Sequence, residues 1–554
     1  MAYTPQGLIE WHEALLQSRR MWEPTWSKIA DLTLPRKSGL QFQRSPGQRV
    51  ENQYTSTAIR ANELLAASMQ GSLTSGVVRW FALADGARSK SKAVDTWYEE
   101  FSERLYRNLV RSNFHQEMQE TYLDLSAFGT GCILMDERQG AGRLFKGFRF
   151  QSQEIGTYVI SEDGEGHVDV VMRMLRMSPR AAFTRWGNKI GKRLLALKDK
   201  ADAKEVPCDI LHAAYPRDGV NGYQRGTRAT RLPYASCYID VESKTFIEES
   251  GFHEQAMFVP RWTKVTGETW GRGPGFTAIG DSSSLNEAVK LNLQAWAMSV
   301  RPAMLRRHDG VVGTPKITPG GFIDVYDMDS LKPLESGANH QINVIERQAL
   351  QDDIRGIFFW EQLQLPNQQL YTAYEVQKRL ELMQRVLGPT LGRIEVELHQ
   401  KVLMRGASMM LRAGELSNWM DPNGPPEPPG EVMEQLQSGI AEVDIEYLGP
   451  LARAQKATDA DALSAVLQVA TPIIQASPDA AVVYDFEEWL RYIAERRGLP
   501  VRLVRDKAEV KKIQDEVKEA REGQAEQEKL KNASEASRNF APMADVMKDQ
   551  APQQ

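Results

Sequence analysis

The chain has 554 residues, enough for more than one domain and for sizeable hydrophobic cores. Hydrophobic residues make up 42% and charged residues 25%, an ordinary soluble composition; no run of about 18 apolar residues points to a transmembrane helix, and Met1–Glu10 lacks the layout of a signal peptide. A formal charge of -5, with 68 basic and 73 acidic residues interspersed, excludes the clustered basic grip of a tight duplex-binding protein.

Residues 6–33 are predicted helical, with Leu8, Trp11, Leu15 and Trp22 near helical spacing and a stop before Pro35. Residues 38–53 read as a polar, Gly/Pro-punctuated loop. Thr57–Ser72 reads as an Ala/Leu-rich helix, followed by an apolar segment from Val77 to Leu83 that holds Trp80 and Phe81. Helices are predicted through Lys92–Phe128. From Gly131 to Phe258 short alternating runs such as Leu144–Phe150 mark a β-rich subdomain, interrupted by helix near Pro179–Lys200. Within it, Glu162–Asp169 could mimic a cation loop, but it lies between two strand-like runs and is better explained as a hairpin turn.

The stretch from Gly271 to Gly414 is the most informative. After the Gly/Pro hinge Gly271–Gly275, Ser284-Leu285-Asn286-Glu287 reads as a capping box opening a helix to Val300, because Pro302 disfavours helix at Arg301. At ~100° per residue, Leu285, Val289, Leu293, Trp296 and Val300 form one apolar stripe, and Ala288, Leu291, Ala295 and Met298 a second, roughly opposite. Asn292 and Ser299 lie between them on one side, and Asn286, Lys290, Gln294 and Arg301 on the other. A helix on a single core needs one apolar arc. Two arcs mean partners on two sides, either identical neighbouring chains or the interior of one large core.

A Gly/Pro-punctuated insert follows at Gly310–Asn343, around the strand-like Phe322–Tyr326. A second helix is predicted at Val344–Leu363, with Leu350, Ile354, Ile357, Phe358 and Glu361 on one side. Gln364–Leu370 is a polar loop. Thr372-Ala373-Tyr374-Glu375 is a second capping box, opening a helix to Arg412 with a kink expected at Gly388-Pro389. Asp421–Gly430 is a stiff linker. Val443–Tyr447 reads as a strand, and Thr458–Gln475 and Tyr484–Arg497 as helices. Lys507–Arg538 is a charged helix with a thin seam of Val510, Ile513, Val517 and Ala520, suited to a bundle or to a solvated single helix. Disorder is expected from Pro542.

The search for chemistry is mostly negative. Gly187–Lys192 has the wrong glycine spacing for a phosphate loop and is followed by Arg193. Pro274 interrupts any dinucleotide fingerprint at 271–275. The eight histidines show no HExxH or HxH pair, and no metal site or cofactor is proposed. Cys132, Cys208 and Cys237 stand far apart and read as free thiols of a reducing compartment, with Cys132 a packed thiol and not a nucleophile. No enzyme emerges.

Seven short motifs in order resemble the head-to-tail connector, or portal, family of short-tailed phages. They are Tyr54–Thr57 with Leu64–Ala67, Leu73–Ser75 and Trp80-Phe81; Phe128-Gly129-Thr130-Gly131; and Arg261-Trp262 with Gly271–Gly275, where Trp270 stands for the usual Tyr. Asp281 with Leu285-Asn286 follows, with Ser-Ser after the Asp in place of the common Ile-Lys. Thr372 with Glu375-Val376, then Leu387-Gly388-Pro389 with Arg393, Glu395 and Glu397, and Pro450–Gln455 complete the series. Each motif is weak alone, and the order makes the joint signal.

That resemblance implies a predominantly helical α+β portal fold assembling as a ring, usually of about twelve subunits. It implies a wing at 1–275, including the β-rich subdomain at 131–258, and a first stem helix at 276–300. A clip at 301–343, a second stem helix at 344–363 and a tunnel loop at 364–371 follow. The wing resumes at 372–448, before a crown at 449–504, a barrel helix at 505–538 and a disordered tail at 539–554. Leu285, Val289, Leu293, Trp296, Leu291, Ala295 and Met298 then become stem contacts between subunits. Lys290, Gln294 and Arg301 are candidates for the channel, and Gln364, Asn367, Gln368 and Gln369 for weak contacts with passing DNA.

Lys316, Asp324, Tyr326, Asp327 and Lys332 are the clip positions expected to dock a terminase and later tail adaptors. The implied partners are further copies of the chain, double-stranded DNA bound without sequence preference, the terminase large subunit, tail adaptor and nozzle proteins, and major capsid and scaffolding proteins; no membrane is among them. The implied location is the capsid portal vertex of a virion assembled in a bacterial cytoplasm. Two rivals remain at this point: another structural virion protein (an internal ejection protein or a scaffold), and an enzyme with an unrecognised site, such as a nuclease.

Overall fold

The computed structural model describes residues 3–37, 53–86, 91–139, 145–200, 202–217, 226, 228–300, 304–306, 331–333, 340–363, 388–414, 428–438, 443–448 and parts of 466–532. Two compact units emerge. The first takes Met1–Leu83, Glu100–Pro428 and Val443–Gln455; the second takes Ala84–Glu99, Pro429–Glu442 and Lys456–Gln554.

The first unit begins with α1 (Pro5–Arg20) and α2 (Glu23–Thr33), where sequence predicts one continuous helix. The break falls at Met21-Trp22, because Pro24 cannot supply the N–H that would continue α1. Next come α3 (Thr57–Leu73), β1 (Phe81–Asp85), α4 (Lys92–Arg111) and α5 (Phe114–Phe128). The loop expected at 38–53 lies outside the described residues except for Gln53. α5 is the axis of the unit: Thr121–Phe128 are all buried, with α2 and α3 packed against it. Being surrounded on all sides, it has little polar face to show.

The β-rich subdomain stands where the alternating runs predict it. Strands β2 (Ile133–Gln139), β3 (Phe145–Ser152) and β9 (Met257–Phe258) form a three-stranded sheet ordered β3-β2-β9. β4 (Tyr158–Glu162), β5 (Val168–Met177), β6 (Cys208–Pro216), β7 (Tyr234–Asp240) and β8 (Thr245–Phe252) form an antiparallel five-stranded sheet in sequence order. Side chains alternate across it. Val170, Met172, Leu211, Ala213, Ala235, Cys237 and Ile239 turn one way and are covered by Leu8 and Ile9 of α1. Ile210, Tyr238 and Ile247 turn the other way, beneath Ala182 and Trp186 of α6 (Pro179–Trp186) and Leu194 of α7 (Gly191–Lys198). The Glu162–Asp169 turn is the β4–β5 hairpin: Asp163 Oδ1 accepts the N–H groups of Glu165 and His167, each at 2.9 Å.

Beyond the sheets, α8 (Pro274–Thr277) leads into α9 (Ile279–Val300). Ser284 is therefore inside a helix and not its cap, correcting the expected start. Pro274 opens a helical turn at N1 and the chain continues into α9, with the Ser282 N–H reaching the Ala278 carbonyl at 2.9 Å. β10 (Met304–Arg306) and β11 (Leu331–Pro333) pair antiparallel, closing the base of the insert. The helix predicted at Val344–Leu363 starts earlier than expected, as α10 (His340–Ile357), and breaks before α11 (Trp360–Leu363), with Phe359 at φ +59°. Ile354 and Phe358 are buried where periodicity puts them, while Glu361 is exposed.

Helix α12 comprises residues 388–394, a π-turn at Glu395–His399 and Gln400–Arg412. The residues ahead of the expected Gly388-Pro389 kink, and the Thr372 capping box, lie outside the described residues. β12 (Val443–Tyr447) matches its predicted bounds, and the Leu448 N–H donates to the Trp80 carbonyl at 2.7 Å.

In the second unit, helices Gly430–Ser438, Phe486–Arg496 and 509–524 are described. Lys92 pairs with Glu509 at 3.6 Å. Ile513 and Val517 of the expected seam face solvent. The linker residues 421–427, the 458–475 helix except Val466 and Gln468, and the tail from Pro542 lie outside the described residues.

Buried histidines, His12, His212 and His399 among them, limit the fold in acid, and burial lowers the pKa of His212 well below the usual imidazole range. Burial, then Arg19, lowers the pKa of His12 to about 4, and burial lowers that of His399 to about 3. His12 and His399 both stay neutral in the folded chain while their unfolded counterparts protonate near pH 6.5. Their contribution is complete above that pH and is lost as pH falls, at about 1.4 kcal/mol per unit for each histidine down to its folded pKa. Melting temperature is thus expected to drop between pH 6.5 and pH 4. A His12→Leu chain should show a shallower drop in the same titration; an identical slope would remove His12 from this account.

Candidate functional site

The glycine and arginine motifs, far apart in sequence, meet at the end of α5. Gly129 closes that helix with φ +76°, its N–H on the Leu125 carbonyl at 2.9 Å. Thr130 and Arg261 form a β-bridge, the Trp262 N–H donates to the Gly129 carbonyl at 2.9 Å, and the Gly271 N–H donates to Thr130 Oγ1 at 2.9 Å. The 271–275 run lies backbone against backbone on α5: a side chain on Gly275 would enter the Ala127 carbonyl, and one on Gly273 would stand 2.8 Å from the Leu125 oxygen. Glycine is therefore a packing requirement here. Trp270 inserts edge-on against Trp26 with centroids 4.8 Å apart.

Arg261, 1% exposed, ties this junction to α12. Its Nη2 donates to Glu397 Oε1 at 2.6 Å and its backbone N–H to Oε2 at 2.9 Å. Nη1 pairs with Glu162, which also holds Lys264 at 2.7 Å. Burial opposes the Arg261 charge, but Glu397 and Glu162 more than offset it and raise its pKa. Arg261 and Glu397 are 136 residues apart, and sequence reading gave no sign that they pair. The available signal was a lone arginine in the apolar run Met257–Trp262. An Arg261→Met chain would leave the buried Glu397 carboxylate without its guanidinium partner, while Glu162 keeps Lys264, and should lose about 3–5 kcal/mol in urea unfolding. Full recovery of native stability in that single variant would rule the network out as a structural tie.

Helix α9 carries several exposed large apolar side chains. Leu285 is 0% exposed and Ser282 is buried, so the first turns belong to the chain's own interior. This corrects the assignment of Leu285 to a contact between subunits: it has no surface left to offer. Further along, Ala288, Asn292 and Ala295 are half-buried on one side, where α9 packs on α10. Leu293 (50%), Trp296 (64%) and Val300 stand exposed on one flank, and Leu291 and Met298 on the other. Glu287, Lys290, Gln294 and Ala297 occupy the arc between the flanks, facing away from α10. Val289 is half-buried. The exposed hairpin also carries Val344 and Ile345 at the start of α10.

Several expected site residues are not brought together. Gln364, Asn367, Gln368 and Gln369, together with Arg301, Lys316, Asp324, Tyr326 and Asp327, lie outside the described residues, and Lys332 is described only as part of β11. The ligand atoms of Asp163, Glu165 and His167 lie within 4.8 Å of one another, all exposed, at the tip of the β4–β5 hairpin. Cys132 is buried, and burial pushes its thiol up to about 12, which suits packing and not nucleophilic attack. Among the described residues, no helix is long and apolar enough to cross a membrane.

The profile of the family described as "Bacteriophage head to tail connecting protein" matches residues 6–504. The chain belongs to that family. It is 25% identical over 518 residues to the "Probable portal protein" of Bordetella phage BPP-1, covering 90% of this chain and 88% of that one. It is 24% identical over 540 residues to the "Portal protein" of Salmonella phage epsilon15, covering 94% and 92%. A solved structure described as "Neck of empty GTA particle computed with C6 symmetry" matches at 11% identity over 79% of this chain and 94% of that chain. Its TM-score is 0.36. In this connector-family chain the glycine block, Arg261 and Glu397 join α5, the β-rich subdomain and α12.

Proposed function

We propose that copies of this chain close into the portal ring at one capsid vertex, through which double-stranded DNA is packaged and later ejected. The observation that carries the reading is α9: a helix backed by α10, with an exposed apolar flank on each side and a polar strip between them. Burying a leucine- or tryptophan-sized side chain contributes about 1.5–3 kcal/mol, so both flanks favour lateral partners. A heterologous contact, one flank of α9 against the opposite flank on the next copy, closes into a ring when repeated around an axis. Near-full-length relatives named portal proteins support the same function.

In this reading α9 and α10 are the stem, 301–343 the clip and 364–371 the tunnel loop. The β-rich subdomain and α12 belong to the wing, and the C-terminal unit to the crown and barrel. α9, with lateral contacts on both sides, takes the inner radius. α10, whose exposed turns carry Glu346, Arg347 and Gln348, takes the outer one. The polar strip then faces the lumen, and a chain at -5 lets DNA slide without holding it. The role is structural and not enzymatic. The packaging ATPase is a separate terminase docked on the clip, where tail adaptors and nozzle proteins follow; capsid and scaffolding proteins surround the wing. Gln364, Asn367, Gln368 and Gln369 make weak neutral contacts with the duplex.

Negative-stain imaging of the purified full chain tests the proposal. Closed rings with a hole wide enough for duplex DNA are expected; isolated subunits or open filaments would sink it.

A further inference from the structure

The polar strip of α9, which faces the lumen in the ring reading, carries a charge pair. Lys290 Nζ lies 3.4 Å from Glu287 Oε2, three residues back on the same helix, and both side chains are well exposed. Gln294 continues the strip as a neutral group. An exposed pair at this spacing adds little to helix stability. Its effect on a passing polyanion is larger. An unscreened lysine repeated at one level around a ring is a set of cations directed at phosphate, and each phosphate neutralised releases counterions and adds to retention. A carboxylate beside each lysine cancels that attraction at short range and leaves a wall that is polar but charge-balanced.

We propose that Glu287 acts as a charge screen for Lys290, keeping the channel wall from retaining DNA. This rests on the ring reading and deepens it by naming the residue that sets the wall's affinity for phosphate. The pair also explains why a lysine is tolerated on this strip, since its charge is answered within the same helix.

The test uses full-length rings and a 30-base-pair duplex, with binding measured by filter retention across a salt series. Imaging of each preparation comes first, because absence of rings in the parent chain counts against the ring reading and not against the screen. Given rings, Glu287→Gln is expected to raise DNA affinity at least about tenfold at low salt, with log affinity falling more steeply against log salt by about 0.9 for each added phosphate contact. Glu287→Gln with Lys290→Gln should return to parental retention, and so should the exchanged pair Glu287→Lys with Lys290→Glu. The screen is overturned if Glu287→Gln rings retain no more DNA than the parent, if the gain is insensitive to salt, or if either double variant retains DNA as the single one does.

Discussion

A chain carrying Leu293→Asp and Trp296→Asp is expected to purify as folded single subunits under conditions where the parent forms rings. Both side chains are exposed within one chain, at 50% and 64%, so neither holds the subunit together. Substitutions at such positions usually change stability by about 0.5 kcal/mol or less. At a contact between α9 helices, each aspartate would have to lose its water with no partner, which costs several kcal/mol per contact, and the cost recurs at every contact around the ring. Size-exclusion chromatography with light scattering reads the result, and rings of unchanged mass would show that this flank is not a contact. Leu285→Asp is the informative contrast. Its side chain lies inside the subunit, so that variant should fail to fold instead of failing to assemble.

Gly275→Ala should be among the most damaging conservative changes at the described residues. The added methyl would enter the Ala127 carbonyl, and both sides of that contact are backbone with no rotamer to yield. A loss of about 4 kcal/mol or more is expected, read as insoluble protein or a collapsed melting temperature. Gly280 provides the control. It is exposed within α9 with nothing near the position of an added Cβ, so Gly280→Ala should stabilise by about 0.5–1 kcal/mol. If the two alanine variants melted alike, close packing would not be why the 271–275 run is glycine-rich.

Much of this was legible from periodicity because the forces behind it are local. Strand alternation placed the β-rich subdomain, and the two apolar arcs of α9 marked the helix whose flanks stay uncovered. The errors have tertiary causes. Ser284-x-x-Glu287 satisfies the pattern of a capping box, but α9 starts earlier because α8 feeds directly into it and its first turns are buried. Leu285 and Leu293 share a stripe on the helical wheel, yet the first is enclosed and the second exposed, since a repeat along the helix carries no record of where the covering elements end. Arg261 and Glu397 could not be paired in advance, because a contact across 136 residues leaves no local trace. Phe128–Gly131, Arg261-Trp262 with Gly271–Gly275, and Glu397, which belong to three separate motifs, turn out to form one structural joint.

The two short strands Met304–Arg306 and Leu331–Pro333 have an evolutionary consequence. They act as a clasp across the neck of the excursion between the two long helices, so the spacing of those helices is set below the clasp and not by the length of what lies above it. Closing a longer excursion costs only about 0.6 kcal/mol for each doubling of its length. Residues 307–330 can therefore be lengthened, trimmed or exchanged between relatives while the helices beneath keep their register. A lineage can vary this excursion without rebuilding the two helices that carry it.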